Sequence, residues 1–360
     1  MIYYILPCFF ILGMLLFPKN PKNSHFSTVE NYILFVLIIL CVLFSGLRYE
    51  TGSDWDIYYD MFKNADNYWL SHFELGYLFF NYLFSKLNVN YNLLLILISG
   101  LYALLYYLLE SFACNKWIFG LFLYSNIYVI FWGGNRQAIA LVLGCVGTIY
   151  FLKKTRFLST FYWLLAIQFH ISSLTLLLIS FCSNKFKLRI VVISSFLINL
   201  LILINRGQNP LVQLISYLLQ GLNFVRFSSY IDGQEYLNPG LDYESRNIII
   251  LLSNTITLLS FVLFGDKLIK LKAENKSFLI ICSVYYAIFA LFLGVSQNFS
   301  GRTIIFGRPF EAIIISYLPY VFKSNLTEKT VTIVIIISML LKIYFAFITQ
   351  GFYLPYQSIL

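Results

Sequence analysis

Charge is scarce in this chain. Asp, Glu, Lys and Arg together make up 11% of its 360 residues, against 59% hydrophobic and 19% aromatic, where an average soluble domain carries about 25% charged residues. No water-soluble fold could hide that much apolar surface. Histidine is rarer still, with three in the chain and no two at i, i+4 spacing, so no helical metal-binding pair is written here. The six cysteines (Cys8, Cys41, Cys114, Cys145, Cys182 and Cys282) sit in or beside apolar blocks and none forms a C-x-x-C, which speaks for packing rather than a disulfide framework or a zinc site. Neither a P-loop nor a G-x-G-x-x-G occurs, and nucleotide-driven chemistry falls away with them; no cofactor is implied. Internal repeats and low-complexity tails are absent too.

What the chain has in quantity is apolar blocks of roughly 14 to 22 residues, the length that crosses a hydrocarbon core at 1.5 Å per helical residue. They fall at 1–17, 32–47, 91–112, 117–132, 137–152, 157–169, 172–181, 188–204, 247–264, 278–297, 309–322 and 331–349. The first block lacks a basic start and an A-x-A site and is read as a helix rather than a cleaved signal. The expected fold is all-α: a polytopic membrane protein of about twelve transmembrane helices, one integral domain over 1–360, with two long outer loops at 48–90 and 205–246. In the first loop, Leu75, Leu78, Phe79, Tyr82 and Leu83 read as one face of a helix lying along the membrane surface. A similar run spans 211–219 in the second.

The stretch 157–181 reads either as one tilted span or as a tight hairpin with its tip at His170, and charge decides. With the hairpin, one side of the membrane collects 15 basic and 5 acidic residues and the other 9 basic and 11 acidic, as the positive-inside rule asks. Both termini then lie outside. The net charge of +9 reflects inner loops facing anionic lipid, not nucleic-acid binding.

The same partition separates lysine from arginine. The inner cations are 13 Lys and 2 Arg, whereas the outer ones are 7 Arg and 2 Lys. Insertion does not demand this. Arginine presents a planar, permanently charged fork that grips phosphate in bidentate fashion, and lysine a mobile point charge. An outer face that keeps arginine suits a phosphorylated ligand; the competing reading is that these arginines snorkel or pair with outer carboxylates.

Four constellations lie at outer helix ends. In RYETGSDWDIYYDMF, Arg48 leaves the second block, Gly52 suits a φ > 0 turn, and Asp54, Asp56 and Asp60 follow beside Trp55, Tyr58 and Tyr59, a mixture suited to sugar and phosphate. In FWGGNRQAIA, Asn135 reads as a helix N-cap and Arg136 as the first residue of an outward-pointing helix N-terminus, where unpaired N–H groups, dipole and guanidinium together favour an anion. FHISSL places His170 with Ser172 and Ser173. GRTIIFGRPFEAIIISYLP repeats a Gly-Arg pair at Arg302 and Arg308 ahead of a helix that starts with Pro309 and carries Glu311 in its first turn.

The order of RYETGSDWDIYYDMF, FELGY, NRQAIA and FHISSL resembles the EpsG family of membrane polysaccharide proteins, which belongs with the Wzy-type O-antigen polymerases. The resemblance covers about 48–174, with a looser match in GRPFEAIIISYLP, and the positions that correspond are Arg48, Gly52, Asp54, Tyr58, Arg136, Ala140, His170 and Ser173. It implies a GT-C-like membrane fold and glycosyl transfer between two undecaprenyl-pyrophosphate-linked oligosaccharides at the periplasmic face of the bacterial inner membrane, without a metal. A chain-length regulator in the membrane is the partner it implies. Pyrophosphate as leaving group calls for fixed donors, which arginines and helix N-termini supply. An acceptor hydroxyl calls for a base, and His170 and Asp54 are both candidates. Two other functions stay open. A flippase would fit the span number, although only Lys342 lies well inside a block, and a glycan ligase would use the same chemistry.

Overall fold

A computed structural model of the chain describes residues 2–17, 24–52, 54–68, 73–181, 187–205, 243–293, 297–322 and 324–348. Most of the second outer loop, with the 211–219 run, lies outside the described residues. Among them every regular element is a helix. Their contacts divide the chain into two compact units, Met1–Leu174 with Ile315–Leu360, and Thr175–Ile314.

The first unit contains α1 (Ile2–Leu16), α2 (Ser24–Gly46), α3 (Trp55–Lys63), α4 (Leu75–Lys86), α5 (Tyr91–Leu109), α6 (Lys116–Asn126), α7 (Ile130–Gly133), α8 (Asn135–Leu152) and α9 (Arg156–Phe169). After a 3-10 turn at Ile171–Thr175 come α10 (Leu176–Phe181), α11 (Leu188–Ile204), α12 (Tyr243–Leu271), α13 (Asn275–Phe292), α14 (Gln297–Ile304) and α15 (Arg308–Tyr317). The last helix, α16 (Asn325–Ile348), belongs to the first unit.

The helices are turned with their aliphatic side outward. On α5, Ser99, Tyr102 and Tyr106 are buried while Leu93, Leu97 and Leu104 are exposed; on α2, Cys41 and Ser45 are buried while Phe35, Val36, Leu40 and Leu43 are exposed. Water would drive the opposite arrangement. Lipid accepts it, because aliphatic side chains lose nothing against acyl chains and the hydroxyls find partners inside. Ser99 Oγ donates to Ser45 Oγ at 2.9 Å, and Ser45 Oγ to Phe131 O at 2.9 Å. The protein is a membrane-embedded helical protein.

Among the described residues five helical segments are long and apolar enough to cross a membrane: Thr28–Gly46, Tyr91–Phe112, Asn135–Leu152, Ile248–Leu271 and Asn275–Phe292. Several blocks marked in the sequence fold as shorter pieces. Block 117–132 ends its helix at Asn126, whose Nδ2 donates back to Phe122 O and Ser125 Oγ. Block 309–322 gives way to a 3-10 turn holding Pro319, which has no N–H to continue an α-helix. Block 157–181 is a 14-residue helix, a 3-10 turn and a six-residue helix.

α8 and α9 form an antiparallel hairpin, closed by a turn in which Lys154 takes φ +62°. Tyr150 stacks on Tyr162 at 5.6 Å between ring centroids, and Trp163 lies against Phe151 at 5.4 Å, with its Nε1 donating to Thr148 Oγ1 at 3.4 Å. The C-terminal end of α9 therefore returns beside the N-terminal end of α8. The amphipathic helix α4 exposes Leu75, Phe79 and Leu83, as the surface-helix expectation asks, but Leu78 turns inward with Tyr77 and Asn81. A helix packed against α3 and α9 has to bury one side.

Candidate functional site

Among the described residues of the first unit, Arg48 is the most deeply placed cation, at 1% exposure. Its Nη1 donates to Ser45 O at 2.6 Å and its Nη2 to Asn135 Oδ1 at 3.0 Å. Asn135 is therefore not the helix cap that the sequence indicates. Gly134 occupies that position, Ala138 N closes the first turn on Gly134 O at 2.8 Å, and the buried Asn135 side chain answers Arg48 instead. Gly52, at φ +117°, lets the intervening loop lie against α7; a Cβ there would stand 2.2 Å from Trp132 O.

Arg136, in the first turn of α8, reaches α3 and α4. Its Nη1 lies 2.5 Å from Glu74 Oε2, its Nε donates to Tyr58 OH at 3.3 Å, and its guanidinium covers the Phe73 ring at 4.5 Å. Among the described residues its Nη2 makes no hydrogen bond. Glu74, buried and just ahead of α4, has a second duty, since its Oε1 accepts from Ile171 N at 3.1 Å. One carboxylate thus joins the start of α8 to the turn that follows α9. Gly76 makes this possible, because a Cβ there would stand 2.6 Å from Gln168 O.

His170 leaves α9 in an extended conformation (φ −158°, ψ 122°) and is buried. Its Nδ1 lies 2.6 Å from Ser172 Oγ and 3.2 Å from Ser172 N, and Ser173 Oγ donates to His170 O at 2.7 Å. Asp54 is half-buried at the start of α3, one turn before Tyr58, and its side chain makes no cap bond. Asp56 is exposed. Asp60 is turned to its own neighbours: Tyr68 OH and Asn64 Nδ2 donate to its carboxylate, Tyr68 foremost, and hold it below its ordinary pKa. The expected trio of carboxylates is therefore not one group. The aromatic neighbours do group, with Trp55 stacked on Tyr59 at 4.7 Å and edge-on to Tyr49 at 5.3 Å.

In the second unit Arg308 opens α15, with Gly307 before it and Pro309 second rather than first. Its Nη1 pairs with Glu311 and donates to Tyr286 OH at 3.3 Å, and its Nη2 donates to Asn254 Oδ1 at 3.1 Å. This buried network ties α12, α13 and α15 together. Arg302 departs from expectation. It lies in the last turn of α14, at the carbonyl end of a helix where the dipole favours a cation, and not in the segment that leads directly into α15. Among the described residues no group of three or more His, Cys, Asp or Glu is placed to hold a metal ion.

The model of the EpsG family matches residues 31–358. The chain belongs to the EpsG family. No curated protein and no solved structure matches it. The match runs through both units of this EpsG-family chain, well beyond the segment on which the sequence resemblance rests. Its four short motifs meet in one place: Arg48 and Tyr58 from the first, Glu74 from FELGY, Asn135 and Arg136 from the third, and His170 with Ser172 from the fourth. Glu74 is the site residue that sequence reasoning missed. Its signal was a lone carboxylate inside FELGY, directly before a helix and two residues from a glycine.

Proposed function

We propose that this protein is a membrane glycosyltransferase that polymerises lipid-linked oligosaccharide repeat units into a surface polysaccharide of O-antigen type. Family membership supports a polysaccharide-polymerase-like function. The observation that carries the finer reading is the convergence of four motifs on one buried cluster, with Arg48 and Arg136 at the N-terminal end of α8. The substrates are undecaprenyl-diphosphate-linked units in the bacterial inner membrane, met at its periplasmic face, and a chain-length regulator is the expected partner.

The acceptor hydroxyl oxygen bonds to the anomeric carbon of the donor sugar. The bond from that carbon to the diphosphate oxygen breaks, and its electron pair stays on the departing diphosphate. The hydroxyl proton passes to a base, for which Asp54 and His170 are the candidates. Charge growing on the diphosphate meets Arg136, whose Nη2 is uncommitted within the described residues, and the first N–H groups of α8. Tyr58, whose ring is buried, takes part through its hydroxyl on Arg136 Nε, and part-exposed Tyr59 is the member of the aromatic stack placed to meet sugar. Arg302 is proposed as a contact for the second diphosphate, with Arg308 holding the start of α15.

A deletion strain tests this reading. Loss of a polymerase leaves single repeat units attached to the normal acceptor. A strain with no attached glycan at all would instead point to a ligase or a flippase and overturn the proposal.

A further inference from the structure

The hydrogen bonds around His170 specify which of its ring nitrogens carries the proton. Ser172 N lies 3.2 Å from Nδ1, and a backbone N–H can only donate. Nδ1 must therefore present its lone pair. Ser172 Oγ, 2.6 Å from the same nitrogen, meets it as a second donor. In a neutral imidazole whose Nδ1 accepts, the proton resides on Nε2. Such a ring has no lone pair at Nε2 to receive a proton from a hydroxyl, and its one lone pair is already engaged by Ser172.

The turn is fixed on either side of the ring. Ser173 Oγ donates to His170 O, and Glu74 Oε1 accepts from Ile171 N. Through Oε2 the same carboxylate holds Arg136. Arg136 and the His170 turn are thus carried by one buried group, and neither can shift without the other.

We propose that His170 acts as a neutral hydrogen-bond donor through Nε2 rather than as the base, and that with Arg136 it holds the oxygens of the donor diphosphate, Glu74 positioning both. The proposal rests on the glycosyl-transfer reading above. His170 then keeps its proton through the cycle, and the acceptor's proton goes to Asp54. The site recognises a diphosphate ester by two N–H donors of different kind, one cationic and one neutral.

Two measurements test this. In protein whose His25 and His72 are replaced by Gln, the remaining histidine is labelled with ¹⁵N and its ring shifts are read by solid-state NMR in lipid at neutral pH. A protonated Nε2 with a bare Nδ1 is expected; a protonated Nδ1 overturns the proposal. Polymerisation is then followed with the lipid-linked repeat unit extracted from the deletion strain. The amide of Gln can present an N–H near the place of Nε2, and that of Asn near Nδ1, so His170→Gln should stay within about tenfold of wild type while His170→Asn and His170→Ala fall about a hundredfold or more. His170→Gln as inactive as His170→Ala, at equal abundance, sinks the donor role. If His170→Gln fails to accumulate, the NMR result decides alone. Wild-type protein that does not extend the extracted unit would instead overturn the polymerase reading, and the NMR result still decides the tautomer.

Discussion

Part-buried Arg136 and buried Arg308 can be told apart by what they touch. Arg136 binds Glu74 and Tyr58 and keeps one nitrogen uncommitted within the described residues, whereas Arg308 is closed in by Glu311, Tyr286 and Asn254. Arg136→Lys keeps the charge but loses the fork. At about 1.5 to 3 kcal/mol for a hydrogen bond to a charged group, polymerisation should drop roughly ten- to a hundredfold while protein abundance stays normal, as seen on a glycan gel beside an immunoblot. Glu311→Ala should do the reverse. It leaves the Arg308 guanidinium buried without its carboxylate, a change that destabilises by about 3 to 5 kcal/mol, and the protein itself should disappear from membranes. Arg48, Arg136 and His170 stand out in the sequence as polar residues at the ends of apolar blocks, and Tyr58 through its place in the motif that follows Arg48. Glu74 does not, because its meaning lies in contacts 62 and 97 positions away. The start of α8 was misread by one residue, since Asn135 suits a cap and only the buried Arg48 shows why its side chain turns elsewhere.

Among the elements, α4 and α9 meet backbone to backbone at Gly76. Gly76→Ala would drive a Cβ to 2.6 Å from Gln168 O, so the two helices must part and Glu74 must move off Ile171. Polymer length should fall sharply. Gly100→Ala, which meets nothing within 4 Å and improves helix propensity, should leave it unchanged; equal polymer from both variants would show that the α4–α9 contact does not matter. The apolar blocks were legible as helices because lipid-facing segments are written in aliphatic residues. Their lengths were less so. Composition averages over a block, while a helix can end at a single group, such as Pro319 lacking an N–H.

For the whole molecule, the charge partition predicts a topology: Lys154, Lys187 and Lys270 inside, Asp54 and Arg302 outside. Cysteines introduced at these positions, in protein stripped of its native cysteines, should react with an impermeant thiol reagent from outside only at positions 54 and 302. Labelling of position 187 from outside would refute the arrangement. The α8–α9 hairpin also fixes a depth. From the basic turn that closes it, α8 runs 18 residues and α9 only 14, about 27 Å against about 21 Å at 1.5 Å per residue. His170 therefore stops about one helical turn short of the start of α8, and with α8 spanning a hydrocarbon core of roughly 30 Å the proposed site lies below the headgroups. On the proposed function, a diphosphate held there leaves the headgroup plane and sinks toward the acyl chains, so bilayer thickness becomes a variable: reconstituted into vesicles of increasing acyl length, the protein should polymerise more slowly as the proposed substrate has farther to descend.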